Sequence, residues 1–253
     1  MVYPKNATVK IKGGLGNQLF QYSFAIFLKE HLKININLDI SWFDKQDFRK
    51  FQLNELLVEP LFETIRREPG IYNKILSYRS EKFLSFLLKK NYYIPVDYFD
   101  GYWQDIFYAK YLIYEKYFNK KIFLKKFSED YYVIHLRRGD FLNSSTHHVL
   151  SDEHYLKYIK LFNDKIIYIL SSNKEDALNF IKKTNATVKF IDCDDKEAFG
   201  IIYNASGGIA SNSTFCWWPI FLSECRNWFF PYRWLKKRNI IDHNLNIKNT
   251  ILI

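Results

Sequence analysis

The residues of this chain best suited to chemistry fall in three short stretches. In the first, His135-Leu136-Arg137-Arg138-Gly139-Asp140 sets two guanidinium groups and a carboxyl directly after the apolar run Tyr131–Ile134. A guanidinium is a planar fork of donors that matches phosphate oxygens. Two adjacent arginines leaving a strand point in different directions, so one can face an anionic ligand while the other is structural. Gly139 permits a tight turn, and Asp140 can orient an arginine or cap that turn. The plainer alternative is a surface salt-bridge cluster.

The second stretch is Ser211-Asn212-Ser213-Thr214, placed between a short apolar run and Phe215-Cys216-Trp217-Trp218. A helix starting there presents free N–H groups and a partial positive charge, a natural phosphate site. Ser213 and Thr214 could add hydroxyl donors. Ordinary N-capping by serine or asparagine is equally consistent, and the two roles are compatible. Trp217 and Trp218 read as core of that helix.

The third stretch is Gly13-Gly14-Leu15-Gly16-Asn17-Gln18. Its glycine spacing is not the dinucleotide fingerprint, and it lacks the Walker lysine. Gly14 and Gly16 let a ligand approach the backbone, and Asn17 and Gln18 bring amides to a helix start. A plain tight turn is the simpler reading.

These stretches must hang from regular elements. Val9 and its neighbours read as a strand, Gln18–Leu32 as a helix, and Ile36–Ile40 as a second strand. Residues 51–118 read as mostly helical, with patterns such as the one over 73–90, interrupted by Gly101 in an aromatic turn. After Phe127 strands and helices alternate: Tyr131–Leu136, a helix capped by Ser151, Lys165–Leu170, a capped helix from Ser172, Thr187–Ile191, a helix over 195–206, Gly207–Ser211, and a helix from 212. That alternation predicts parallel pairing in an α/β fold. The second half is Rossmann-like and the first a less regular, helix-rich version, with the division at 1–125 and 126–253. In such sheets ligands bind beyond the carboxyl ends of the strands, where Arg137 and Arg138 would sit.

Composition narrows the function classes. The 253 residues are 48% hydrophobic, which is globular rather than disordered. No apolar run reaches bilayer length, and the first ten residues have no signal core, so a cytoplasmic protein is expected. Cys193, Cys216 and Cys225 form an odd set without metal spacing, consistent with reduced thiols. The formal charge of +10 suits polyanions: nucleic acid, lipid headgroups or a nucleotide diphosphate. Lysines beside many aromatics also suit peripheral membrane contact.

Together, Gly13–Ala25, Gly101–Asp105, His135–Phe141 and Ser211–Trp218 resemble, in order and spacing, the motifs of the α-1,2-fucosyltransferases of glycosyltransferase family 11. The resemblance implies a GT-B fold of two Rossmann-like domains facing across a cleft, acceptor side first. It implies GDP-β-L-fucose as donor, no metal or other cofactor, and inversion to an α-linked fucose, usually at O2 of a galactose. By position, Arg137 resembles the arginine that holds the β-phosphate, and His135 the residue near the guanine. Ser213 and Thr214 resemble the pyrophosphate-binding pair, and Asn17 an asparagine close to the reacting centre. Arg138, Gly14, Gly16 and Glu197 complete the donor-contact set. The family's guanine-contacting aspartate is Ala198 here, so Glu197, Asp192, Asp194 or Asp195 would substitute, or the donor differs. Candidates for a general base are Asp140, Asp39 and Glu197. A bacterial surface-glycan role, as in O-antigen assembly, implies a galactose-terminated, lipid-linked acceptor at the inner membrane face.

Three rivals have distinct signatures. Asp192-Cys193-Asp194 could clamp a divalent ion, while His147, His148 and His154 have no helical two-histidine spacing to support one. A nucleic-acid binder would need a recognisable module, which is lacking. Ala198 leaves room for a different sugar nucleotide or a catalytically inactive homologue.

Overall fold

The computed structural model describes all residues except 1–3, 58–60, 68–80, 113, 143, 163, 224, 226, 237–244 and 249, and, of 114, 115, 140 and 141, the backbone alone. The chain divides into two compact units, Met1–Asn119 and Lys120–Ile253.

The first unit is built on a parallel sheet of order β3-β2-β1-β4, with β1 at Asn6–Lys10, β2 at Asn35–Asp39, β3 at Glu63–Ile65 and β4 at Tyr98–Phe99. Helix α1, Leu15–Glu30, follows β1 directly and is buried along almost its whole length, from Leu15 to Leu28. Burial on every side leaves its polar residues to be satisfied internally. Gln18 donates to the carbonyls of Gly13 (3.0 Å) and Lys50 (2.8 Å) and accepts from Gln52 N–H. Gln21 accepts from Lys12 N–H at 2.9 Å and donates to Gly101 O at 3.3 Å. Phe24 stacks on Trp103 at 3.9 Å between ring centres. Helix α2, Glu81–Lys89, buries Leu84 and Leu88, one turn apart, and turns the opposite face outward.

The stretch 51–118, expected to be mostly helical, holds β3 and β4 besides α2 and single-turn helices at Leu53–Leu56, Ile106–Ala109 and Tyr114–Tyr117. The two strands are three and two residues long, too short to show period-two alternation. The part of the expected helix over 73–80 lies outside the described residues.

The second unit carries a six-stranded parallel sheet of order β10-β9-β8-β5-β6-β7. Its strands are β5 Tyr131–Leu136, β6 Ile166–Ser171, β7 Val188–Phe190, β8 Gly208–Ile209, β9 Trp228–Phe230 and β10 Ile251–Leu252. The linking helices are α3 Asp152–Ile159, α4 Lys174–Ile181, α5 Asp195–Tyr203 and α6 Thr214–Leu222. Ser151, Asn173, Asp194 and Ser213 cap these four, each side chain accepting a first-turn N–H. Ile134, Leu136, Ile167, Ile169 and Ile209 form the centre of a core closed by Tyr155, Phe162 and Phe180. Gly208 lies at φ +153°, and a Cβ there would fall 1.9 Å from Val133 O, so only glycine lets β8 pair this closely with β5.

Candidate functional site

Both sheets turn on their first strand. In the second unit the chain steps from β5 to β6 to β7, then crosses to β8 on the other side of β5. Loops leaving β5 and β8 therefore diverge, and the crevice at their carboxyl ends is the topological switch point where open α/β sheets bind ligands. Arg137 leaves β5 there, and Ser211–Thr214 leaves β8 there. The two motifs are joined by a 2.7 Å contact between His135 Nδ1 and Ser211 Oγ, 76 positions apart in sequence. Tyr155 Oη donates to His135 O at 3.1 Å, fixing the end of the strand.

His135 is buried, and burial together with the neighbouring Arg137 cation pushes its imidazole down to about 3. The ring is therefore neutral, and the positive charge at this strand end belongs to the arginines. Arg137 is half-buried. Arg138 Nη2 donates to Asp152 Oδ1, while Lys183 Nζ donates to Asp152 Oδ2 at 2.5 Å. Burial pushes the Asp152 carboxyl up, but the two cations outweigh it and hold the carboxyl below its ordinary value. The paired arginines thus divide: Arg138 ties the loop to the first turn of α3, and Arg137 does not share that carboxylate.

On the β8 side, Ser213 Oγ accepts from Phe215 N–H at 3.3 Å. Its hydroxyl hydrogen is left to donate, so capping does not use up this side chain's capacity for hydrogen bonds. Thr214, half-buried, opens α6. Asn212 Nδ2 donates to His148 O (2.7 Å) and Trp234 O (2.9 Å), pinning two flanking loops to this turn. Trp217 and Trp218 are fully buried. Ser211 and Asn212 were the parts of the motif whose roles sequence alone did not separate, because both depend on which strands are neighbours.

Glu197 stands apart from this cluster, half-buried in the first turn of α5 and paired with Lys125 at 2.8 Å. Ala198 beside it is buried. Asp194 is used as the α5 cap, accepting from Glu197 N–H at 2.7 Å. Asp140 is the second residue of a helical turn, Gly139–Leu142, and its side chain lies outside the described residues.

The first unit repeats the pattern. Its switch point lies between β1 and β4, where Gly13–Asn17 and Gly101–Gln104 meet. Asn17 Oδ1 accepts from Gln104 Nε2 at 2.8 Å. Gly13 has φ +79°, and a Cβ on it would lie 2.8 Å from Asn17 Nδ2. Glycine is required there both by backbone conformation and by the amide that occupies the space. Gly14 is the N-cap of α1, with the Arg49 guanidinium 3.8 Å from where its Cβ would be. Gly16 is buried within the helix. Lys12 Nζ donates to Asp100 at 2.5 Å and sits 4.9 Å from the Tyr102 ring centre. Asp39, a candidate base, is fully buried and accepts from Tyr98 Oη, Ser41 N–H and Arg67 N–H. Those bonds make it a structural anchor of β2. Gln104 escaped the sequence reading although it stands within the quoted aromatic turn.

Among the described residues no group of three or more His, Cys, Asp or Glu side chains could hold a metal ion, and no helix is long and apolar enough to cross a membrane.

Two α/β units, each with its motif-bearing turns at a sheet switch point, define a GT-B-like glycosyltransferase architecture. The model of glycosyl transferase family 11 matches residues 5–227, and the chain belongs to that family. Among curated relatives, an alpha-1,2-colitosyltransferase of Escherichia coli is 24% identical, over 85% of this chain and 87% of the relative. The O-antigen biosynthesis glycosyltransferase WbnK of Escherichia coli is 25% identical, over 90% and 95%. Among solved structures, fucosyltransferase NodZ from Bradyrhizobium has a TM-score of 0.60 at 10% identity, covering 88% of this chain and 94% of that one. A NodZ alpha-1,6-fucosyltransferase co-crystallized with GDP gives 0.58 at 10%, over 88% and 93%.

Proposed function

We propose that the chain is an inverting α-1,2-fucosyltransferase. It would move L-fucose from GDP-β-L-fucose to a galactose hydroxyl of a surface glycan, without a metal. The observation that carries this reading is the meeting of Arg137 and the Ser211–Thr214 turn at the β5–β8 switch point. As the bond from the anomeric carbon to the β-phosphate oxygen breaks, charge collects on the diphosphate and the fucosyl ring becomes oxocarbenium-like. A fixed guanidinium and the first N–H groups of α6 stabilise that charge without reorganising. Ser213 and Thr214 add hydroxyl donors. His135, neutral, holds the β8 turn against β5, and Arg138 with Asp152 holds the loop that carries Arg137. Glu197, near the α5 start, is the candidate for base recognition. Gly14 and Gly16 keep the α1 start clear, and Asn17, oriented by Gln104, serves the acceptor side from an N-terminal domain drawn at 1–125. Asp140 is the candidate base for the acceptor hydroxyl, which attacks the face opposite the departing GDP and so inverts the centre. The O-antigen role named for one relative supports a cytoplasmic enzyme working on a lipid-linked acceptor, with peripheral membrane contact.

Calorimetric titration with GDP-fucose, GDP-mannose, UDP-galactose and GDP tests the donor, and GDP release with a galactoside tests transfer. Preference for GDP-fucose and turnover that persists in EDTA are expected. A metal requirement, or binding only to the uridine donor, would refute the proposal.

A second reading keeps the site and changes the sugar. It is favoured by Ala198 in place of a base-contacting carboxylate and by the relative named for colitosyl transfer. GDP binding without a fucose preference would select it, and GDP binding with no transfer to any acceptor would select an inactive homologue.

A further inference from the structure

Helix α2 is fastened to the protein along one side and at both ends. Glu81 accepts from Tyr102 N–H at 2.9 Å and Trp103 N–H at 2.7 Å. Ser85 bonds Tyr108 Oη at 2.9 Å, and Lys89 pairs with Asp105. Leu84 and Leu88 are buried beneath it. With polar ends and apolar underside thus satisfied, the outward face would be expected to be polar. Instead, Phe83 is 58% and Phe86 55% exposed. At 100° per residue they share that face with the exposed Lys82 and Lys90. Tyr92, 58% exposed, and Tyr93 follow directly. From 82 to 90 there are three lysines and no acid.

We infer that this face of α2 seats the protein on an anionic lipid surface. Aromatic rings beside lysines are the composition of an interfacial helix, with rings entering the headgroup boundary and ammonium groups meeting lipid phosphates. Charge selects this occupant over a second copy of the chain, because a two-fold contact would set the lysines of one copy against those of the other. The overall charge of +10 has the same sign as the patch. The position has a use. Glu81 and Lys89 clamp α2 to 101–105, the turn whose Gln104 orients Asn17, so the membrane contact lies on the same fastened segment as the acceptor-side amide. The inference deepens the proposed function, from which it takes only the lipid-linked acceptor.

The test is co-sedimentation of the full chain with phosphatidylcholine vesicles, with and without phosphatidylglycerol. Wild type should bind the anionic vesicles and not the neutral ones. K82E/K90E should weaken binding by roughly 25-fold or more, taking about fivefold for each lysine. F83S/F86S should weaken it by about tenfold or more, since each ring contributes buried apolar area. Leu124→Ser, which removes an even more exposed apolar side chain of the second unit, should bind as wild type. Equal binding by wild type and F83S/F86S would overturn the inference. So would self-association of wild type, without lipid, that F83S/F86S abolishes, since a second copy would then cover the face. Transfer to a soluble galactoside is measured on the same preparations and should be unchanged in F83S/F86S. Transfer without vesicle binding would remove the surface and leave the transferase reading, whereas vesicle binding without transfer would do the reverse.

Discussion

Acid should weaken this protein through one buried ring. His135 is neutral in the folded state because burial, and then the Arg137 charge, disfavour its imidazolium, so it takes up a proton only near pH 3. In the unfolded chain a histidine titrates near 6.5. Between those values the unfolded state holds one proton more than the folded state. Stability attributable to His135 is therefore present above about pH 6.5 and drains away as pH falls, at about 1.4 kcal/mol per unit. From pH 7 to pH 5 the expected loss is about 2 kcal/mol from this residue. His148 and His154 are also held below their ordinary values by burial, and their contributions have the same sign. The perturbation that isolates His135 is His135→Asn, which keeps a polar group near Ser211 Oγ and cannot titrate. Urea unfolding of wild type and variant at a series of pH values between 7 and 5 gives the double difference. Wild type should lose about 2 kcal/mol more than the variant across that range. Parallel stability curves would refute the argument, because they would mean that the ring at the β5 end is already protonated or already in water.

Three further outcomes are expected. Arg137→Ala should lower turnover roughly a hundredfold or more, about 3 kcal/mol of lost charge stabilisation, and Arg137→Lys should fail comparably because an ammonium lacks the planar fork; near-normal kcat in the lysine variant would remove the bidentate role. Asp152→Asn should destabilise by about 2–3 kcal/mol, read by urea unfolding, since it leaves the partly buried Arg138 without its anionic partner. Gly13→Ala should cost about 1–2 kcal/mol for a side chain at φ +79°. By pushing Asn17 aside it should also lower kcat on a soluble acceptor while leaving donor affinity, measured by calorimetry, unchanged.

The alternation of β5 through β8 with helices was legible in the sequence because each strand there is an apolar run bounded by a cap or a glycine. The cap at Ser151 acts through a single local bond, which is why residue type was enough to find it, whereas the next two caps, Asn173 and Asp194, emerge only from the backbone. Strands β3 and β4 were not legible. Two or three residues carry no period, and their pairing comes from β2 and β1, whose exposed edges they cover. The site divided the same way. Arginines after a strand and serines before a helix announce an anion site, but the 2.7 Å contact from His135 to Ser211 depends on β8 crossing to the far side of β5, which no local pattern records. Likewise the separation of Arg138 from Arg137 rests on Asp152, fourteen positions from Arg138.

The loops beyond β6 and β7, from Ser171 to Asn173 and from Asp192 to Asp194, leave the same sheet edge as Arg137 yet sit on strands one and two places further out. Under the proposed function, mutation can reshape those outer loops while the innermost pair of strands keeps its grip on a diphosphate. A lineage with this layout is free to exchange one activated sugar for another by small steps, without first surrendering the ability to let a nucleotide depart.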